Sequence, residues 1–361
     1  MKNLMILLLS VTLCSTLKAQ EKTFTVLGKV LDAETKLPLS NASAYCQNTT
    51  QGTITNSEGM FFMRLPNGGY DMVVTYTGYE KKLMRISNSQ AKTDTMVIEL
   101  AKEDKSLSEV AVVASTEDPD GLNKYGKFFS QNFIGNTGYS NQVAIQNPEA
   151  LKFFYSKKRN RLKITAREDL IIVNYALGYK IRYQLDSFSY DYGSNITQYT
   201  GSPLFQEMDS TEEVKAQWKK NRAHSYLGSR LHFMRSFYDS SLTQQGFIIE
   251  KLAEDSQSVK GTFIKDLYNE QDYLLDSGLV EVNWNGRYRV SYGNVKPDKQ
   301  FLDEYKLPAT TRFQITVLEV ADGGFVIEKN GYFYEQYDVI NTGYWAWKKL
   351  AEQLPYDYEY R

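Results

Sequence analysis

The sequence predicts a mainly β chain in two parts, a small β-sandwich followed by a larger α+β unit dominated by antiparallel sheet. Tyr and Phe are abundant, at 27 and 18, while Pro is held to 8, a composition that favours strands over disorder. Over residues 22–101 short alternating runs are broken by turn signals about every ten residues, the spacing of a sandwich. Further on, Tyr179, Ile181, Tyr183 and Leu185 alternate with Lys180, Arg182, Gln184 and Asp186, as in a strand with one buried face, whereas Val214 and Trp218 are spaced as on one face of a helix.

The chain opens with Lys2, an apolar run Leu4–Leu13 and Leu17-Lys18-Ala19, the layout of a secretory signal over residues 1–19. A membrane-crossing helix needs about 20 apolar residues, so the run reads as a removable address and the mature chain as exported, to the periplasm or the outer membrane. Lipid anchoring at Cys14 is the less favoured alternative, because Leu13 stands where a lipoprotein signal takes a small residue. After cleavage behind Ala19 only Cys46 remains, which leaves no intrachain disulfide. The 42 basic and 43 acidic side chains nearly cancel, against the basic excess that a nucleic-acid binder carries. The length exceeds what one core organises, so two domains are expected.

In the first unit, strand one runs through Phe24, Val26 and Val30 and leaves by a turn from Asp32 to Pro38. A second run passes Ala42, Ala44 and Cys46, and the stretch from Gly52 through Asn56 to Gly59 supplies the left-handed backbone of tight turns. Phe61 and Met63 resume the alternation. Pro66 to Tyr70 is another turn, Met72, Val74 and Tyr76 share a face up to the Gly78-Tyr79 break, and strands follow near Leu83–Ile86 and Thr95–Leu100. The spacings Gly28-Lys29-Val30-x-Asp32, Pro38-Leu39-x-x-Ala42, Gly52-Thr53-x-Thr55-Asn56-x-x-Gly59-x-Phe61 and Tyr70 through Gly78-Tyr79 resemble the carboxypeptidase regulatory-like domain of bacteroidete cell-envelope proteins. That resemblance implies a transthyretin-like sandwich over residues 22–101 with no catalysis of its own. The domain often stands at the front of outer-membrane receptors of the TonB-dependent type, where a segment similar to Leu107–Val113 follows; the resemblance therefore implies an outer-membrane or periplasmic protein partner. Too few residues remain here for a plug and a large barrel. Cys46, in an apolar strand, reads as a buried structural thiol.

Residues 102–124 are polar and read as a linker, with Glu117 to Gly121 as the break. Asp118, Asp120 and Gly121 lack the further oxygen ligands of a calcium loop, so a plain turn is expected. Over residues 125–361 strands are expected at Leu162–Thr165, Leu170–Tyr175 and Tyr179–Asp186, with Gly193-Ser194-Asn195 turning the last back toward Ile196 and Tyr199. Ser210 and Glu213 form a capping box for a helix beginning near Thr211, and a second helix is expected over Ser229–Leu242. Strands follow at Leu279–Trp284, Arg287–Tyr292, Arg312–Leu318, Phe325–Glu328 and Tyr332–Tyr337, and a short helix around Trp345–Gln353 is stopped by Pro355. The runs Ala176–Ile181 and Gly228-Ser229-x-x-His232-Phe233 resemble the uncharacterised region that follows the sandwich in some bacteroidete envelope proteins, which implies no activity.

No catalytic, cofactor or metal residue is assigned. His224 and His232 are the only histidines, and neither sits in a zinc-peptidase pattern. Serine-hydrolase elbows, Walker loops and dinucleotide glycine patterns are absent. Two carboxylates on distant strands would leave no local motif, which keeps a glycan-active hydrolase, or a glycan-binding protein, as the alternative. The candidate recognition residues are five. His232, Arg235 and Asp239 share a helix face, as an anion- or peptide-recognition stripe or, preferably, a solvated face with an Arg235 to Asp239 pair worth a few tenths of a kcal/mol. Trp345 and Trp347 suggest a glycan-stacking platform, yet two residues apart on a helix they diverge, which favours packing. The expected function is a non-enzymatic envelope accessory or adaptor acting through protein contacts on its sandwich and sheet edges. A small membrane barrel is a weaker third reading that the capped helices oppose.

Overall fold

A computed structural model describes residues 23–88, 94–103, 116–253, 260–334 and 336–360. The signal over residues 1–19, Cys14, most of the 102–124 linker and the Leu107–Val113 segment lie outside the described residues. The alternation of the first hundred residues closes into two sheets. The strands are β1 (Thr23–Asp32), β2 (Ser43–Cys46), β3 (Gly52–Ile54), β4 (Met60–Pro66), β5 (Gly69–Thr75), β6 (Lys82–Ser87) and β7 (Met96–Leu100). Their orders are β4-β1-β7 and β3-β2-β5-β6, with β1 antiparallel to β4 and parallel to β7. Val26, Val30, Phe61 and Met63 of one sheet meet Ala44, Cys46, Met72 and Val74 of the other in a single core. The motif residues have local reasons to be where they are. The Asp32 carboxylate accepts the Thr35 and Glu34 N–H groups and the Tyr79 hydroxyl, and these bonds, the Thr35 one foremost, hold it well below the usual carboxylate range. Cys46 is fully buried, and loss of solvation pushes its thiol far up, so the structural role is retained.

The next six strands make a third sheet: β8 (Val143–Ile145), β9 (Leu151–Ser156), β10 (Arg161–Ala166), β11 (Leu170–Asn174), β12 (Tyr179–Asp191) and β13 (Ile196–Glu207). The long strand β12 organises it, pairing with β13 along one edge and with β11 and then β10 along the other. Its alternation reads cleanly only to Asp186 because the register shifts between Leu185 and Ser187. Across that irregularity Phe188 returns to the buried face. Helix α1 (Gly121–Phe133) lays Phe129 and Phe133 on this core. The helix corrects the expected linker, since the stretch from Glu117 to Gly121 is the entry to a packed element and not a tether. Gly121 belongs there because a Cβ would stand 2.4 Å from that of Phe153. Asp118 is held by the Lys124 ammonium at 2.9 Å, a turn closed by a side chain of the protein's own.

The last part builds a separate core. It comprises α2 (Glu212–Tyr226), α3 (Arg230–Tyr238), β14 (Phe247–Leu252), β15 (Gly261–Phe263), β16 (Tyr273–Asp276), β17 (Leu279–Val282), β18 (Gly286–Tyr292), α4 (Lys299–Glu304), β19 (Gln314–Val320), β20 (Phe325–Ile327), β21 (Val339–Gly343) and α5 (Tyr344–Lys348). Sheets β15-β14-β18-β19-β21 and β16-β17-β20 share their apolar faces with Phe233, Met234 and Phe237 of α3. The region after the sandwich thus holds two large apolar cores, the first around β12 and the second around α3. One expectation fails: the Tyr332–Tyr337 run is no strand. Phe333 makes a lone bridge to Ile327, flanked by the Tyr334 N–H on the Val326 carbonyl and the Glu328 N–H on the Tyr332 carbonyl at 2.8 Å each, and the chain then leaves this short ladder in the 3-10 turn Gln336–Asp338. Tyr332 donates to Asp71 at 2.9 Å and Tyr334 to Glu328 at 2.6 Å.

Gly178, at φ +70, lets β12 start beneath the indole of Trp218, where a Cβ would stand 2.2 Å from the ring. Gly178→Ala is expected to cost about 2–3 kcal/mol through the backbone and the clash together. A thermal melt that kept the parent midpoint would show that the approach is not this close.

Candidate functional site

The site is assembled around α3. Ser229 caps the helix, its hydroxyl accepting the His232 N–H at 3.1 Å. The His232 ring accepts the Gly228 N–H on Nδ1 at 3.1 Å, which leaves Nε2 to donate to Gln245 Oε1 at 3.3 Å. Only 4% of the residue is exposed, among Tyr226, Phe247 and Tyr292. That burial depresses the imidazole pKa to about 4. Arg235 donates three hydrogen bonds to main-chain oxygens, to Asn330 at 3.0 Å and to Tyr356 and Tyr358 at 2.8 Å each. Asp239 ends the helix exposed, with no ion pair to Arg235. The expected polar stripe is therefore corrected. The three residues share a helix face in the sequence, but the C-terminal segment and aromatic rings cover its first two members, so it is neither a solvated face nor an open recognition surface.

That C-terminal segment visits every part of the molecule. After α5, Leu350 and Ala351 enter the core around β12, and Asn174 donates to the Ala351 carbonyl at 2.9 Å. Next, the Tyr356 N–H reaches the Asn48 carbonyl at 2.6 Å. The Asp357 carboxylate accepts the Thr50 N–H at 3.0 Å and the Gln51 amide at 2.8 Å. The same sandwich loop meets β13 directly, where Asn48 donates to Pro203 at 2.7 Å and Phe205 to Thr49 at 2.9 Å. Residues 353–358 thus strap the sandwich, the β12 sheet and α3 together.

Where these parts meet lies a cleft of about 680 Å³, within the range of roughly 300–1,000 Å³ typical of ligand pockets. Amides and hydroxyls line much of it, together with Tyr199, Arg230, Trp345 and Lys349. Trp345 spends its indole N–H on the Gly228 carbonyl at 2.6 Å and packs beside Phe233. Trp347 is elsewhere, 4% exposed against Phe301 and Tyr344, with its N–H on Glu304. The two indoles form no common platform, as the helical spacing requires. Arg230 has no carboxylate partner among the described residues, and its charge acts on the Tyr199 and Tyr356 hydroxyls. Lys349 stands at φ 46 and ψ −153, a conformation that costs a residue with a side chain about 1–3 kcal/mol. Its amine donates to the Gln131 carbonyl at 3.3 Å, and burial lowers its pKa.

In the cleft wall Lys348 and Glu352 form a buried ion pair at 3.0 Å, and Ser225 donates to the same carboxylate. Next to it His224 Nε2 lies 3.1 Å from Asp298 Oδ1, and the Tyr344 hydroxyl donates to Asp298 Oδ2 at 2.7 Å. His224, Asp298 and Glu352 bring one ligand atom each within 4.8 Å of one another. Their donor types suit a first-row metal, but the Lys348 ammonium already supplies the positive charge at Glu352, so no metal is assigned. Sequence reasoning missed Arg230, Lys349 and Glu352. The Ser229 cap was readable locally; the groups facing Arg230 lie far away in sequence.

Residues 26–112 match the family model of the CarboxypepD_reg-like domain. No curated protein matches the chain. Among solved structures, a streptococcal ancillary pilin is 16% identical over 23% of this chain and 30% of its own, with a TM-score of 0.21. The 3-chlorocatechol 1,2-dioxygenase of Rhodococcus opacus is 12% identical over 24% of this chain and 63% of its own, at 0.19. A DUF3823 family protein from Bacteroides ovatus is 10% identical over 52% of this chain and 83% of its own, at 0.17. The chain spans less than two thirds of the length of the first two of these structures.

Two outcomes are expected. Arg235→Met removes the three bonds that hold the strap, so amide exchange over residues 355–360 should rise at least tenfold while β12 stays protected; unchanged exchange would deny Arg235 that role. His232 has a folded pKa near 4 against 6.5 for the free side chain. Its neutral form contributes stability in full above pH 6.5, and the contribution falls away as pH drops toward 4, by roughly 3 kcal/mol at most. Urea titrations of the parent and His232→Asn between pH 7 and 4 should show a flatter profile for the variant.

Proposed function

We propose that this chain is a non-enzymatic accessory or adaptor protein of the cell envelope, exported to the periplasm or outer membrane, that acts by binding a partner protein through its sandwich. One observation carries the reading. The sandwich spends its β3-β2-β5-β6 sheet on the rest of the molecule, through Gly69, Asp71 and Arg85 to Asn330, Tyr332 and Tyr334. Its other sheet turns Phe62 and Val97, 57% and 63% exposed, outward beside Leu27. Scattered apolar residues are ordinary on a surface, but a row of them on one sheet face fits a docking surface. On the same sheet Lys29 of the central strand stands opposite Val97, and Arg64 follows two residues after Phe62; neither has a carboxylate partner among the described residues, so the fitting partner sets acidic groups beside apolar ones. From the resemblance of the domain, a receptor of the TonB-dependent type is the foremost candidate.

The cleft supports the non-catalytic side of the reading. Among the described residues Glu352 is the one carboxylate that lines it, and it is already bonded by Lys348 and Ser225, whereas paired-carboxylate glycoside hydrolysis needs two free ones about 5–10 Å apart. The amide-rich lining with Trp345 and Tyr199 favours a second reading, glycan binding without cleavage.

The test is recovery from native outer membranes. The parent chain should retain one envelope protein in stoichiometric amount, released by salt, and Phe62→Asp with Val97→Asp should lose it at least tenfold. Equal recovery by the double variant, or a chain found only in the cytoplasm, overturns the proposal.

A further inference from the structure

We propose that the cleft binds a saccharide that carries a carboxylate, with Arg230 and Lys349 holding the acid group and Trp345 and Tyr199 facing the sugar rings. This rests on the glycan reading above and names its ligand class. Among the three cations that line the cleft, Lys348 is neutralised by Glu352 at 3.0 Å. Arg230 and Lys349 have no carboxylate partner among the described residues. The Arg230 guanidinium lies over the Phe333 ring, 5.4 Å from its centre, a contact that holds its plane and leaves the N–H fork, which matches a carboxylate in geometry, at the cleft.

Lys349 adds a second, independent sign. Its backbone is held in a strained conformation from both sides, by α5 before it and by Leu350 and Ala351 in the core after it, the Ala351 N–H bonding the Ile134 carbonyl at 3.0 Å. Strain of this kind persists where the surroundings over-determine it, and it clusters at ligand clamps. The conformation places a half-buried ammonium at the cleft wall whose one bond is to a carbonyl at 3.3 Å. Around these charges Asn341, Thr342 and Tyr199 offer donors and acceptors of the kind that sugar hydroxyls use. The chain as a whole is near neutral, so the cations form a local feature suited to a single acid group and not a field for a polyanion.

The experiment titrates the full chain with uronate- and sialate-bearing oligosaccharides and with their carboxyl-reduced counterparts, following tryptophan fluorescence and heat. The acidic members should bind at least tenfold tighter than the reduced ones, and the preference should shrink as salt rises. Arg230→Gln and Lys349→Gln should each remove most of that preference, Arg230→Lys only part of it, while Trp345→Phe weakens both series alike. Lys163→Gln, exposed on β10 and outside the cleft lining, should change nothing. Binding of acidic and reduced members alike overturns this inference and leaves the glycan reading standing. Binding of neither series overturns both, and the adaptor reading then stands or falls on its own membrane test.

Discussion

The architecture depends on one side chain's hold on the C-terminal strap. Arg235 spends its guanidinium on three main-chain oxygens, two of them in residues 356–358, and each bond is charge-assisted. From there Asp357 reaches back to the sandwich loop at Thr50. The three cores are thereby related to one another by groups that belong to none of them. An arginine is suited to this because its fork is rigid and always charged, and carbonyl oxygens repay its desolvation without an ion pair.

That arrangement explains why polar groups gather at the junction. Each core is closed by apolar contacts within its own sheets and helices, so the surfaces where the parts meet are finished with amides, hydroxyls and paired charges. The Lys348–Glu352 pair is the most buried of these. Such a pair contributes little net stability against an apolar substitute, but removing one partner leaves a buried charge without its counterpart. Its effect is to fix the geometry of α5 against the turn that follows. The cleft is the space that this junction leaves open.

The sandwich was legible in the sequence because each of its signals is local. Alternation marks the strands, Gly59 and Asn56 mark the turns, and Asp32 with Tyr79 closes the loop beside them. The β12 strand was legible for the same reason up to Asp186, where the register shift breaks the period. Helix α1 was not, because Pro119 and Gly121 read as a loop when Pro precedes a helix start and Gly121 answers only to Phe153. The candidate stripe on α3 was placed on the correct face by its spacing. What spacing could not carry is the cover over that face, since the partners of Arg235 lie 95 to 123 positions along the chain. The Tyr332–Tyr337 run failed in the opposite sense: its alternation is real, but its pairing with β20 is cut short after Tyr334 by the 3-10 turn at Gln336–Asp338.

Lys349 joins the fold to the cleft. The chain must leave α5, which packs on the α3 core, and enter the β12 core within two residues. The left-handed backbone at Lys349 makes that reversal, where a glycine would make it at no steric cost. A lysine at such a position pays in conformational energy for a side chain whose ammonium contributes one long bond to the fold. The reversal itself needs only the backbone, so that one bond is what the side chain returns to the fold. An anion between Lys349 and Arg230 would add to that return, which is why the conformation of one residue bears on what the cleft holds.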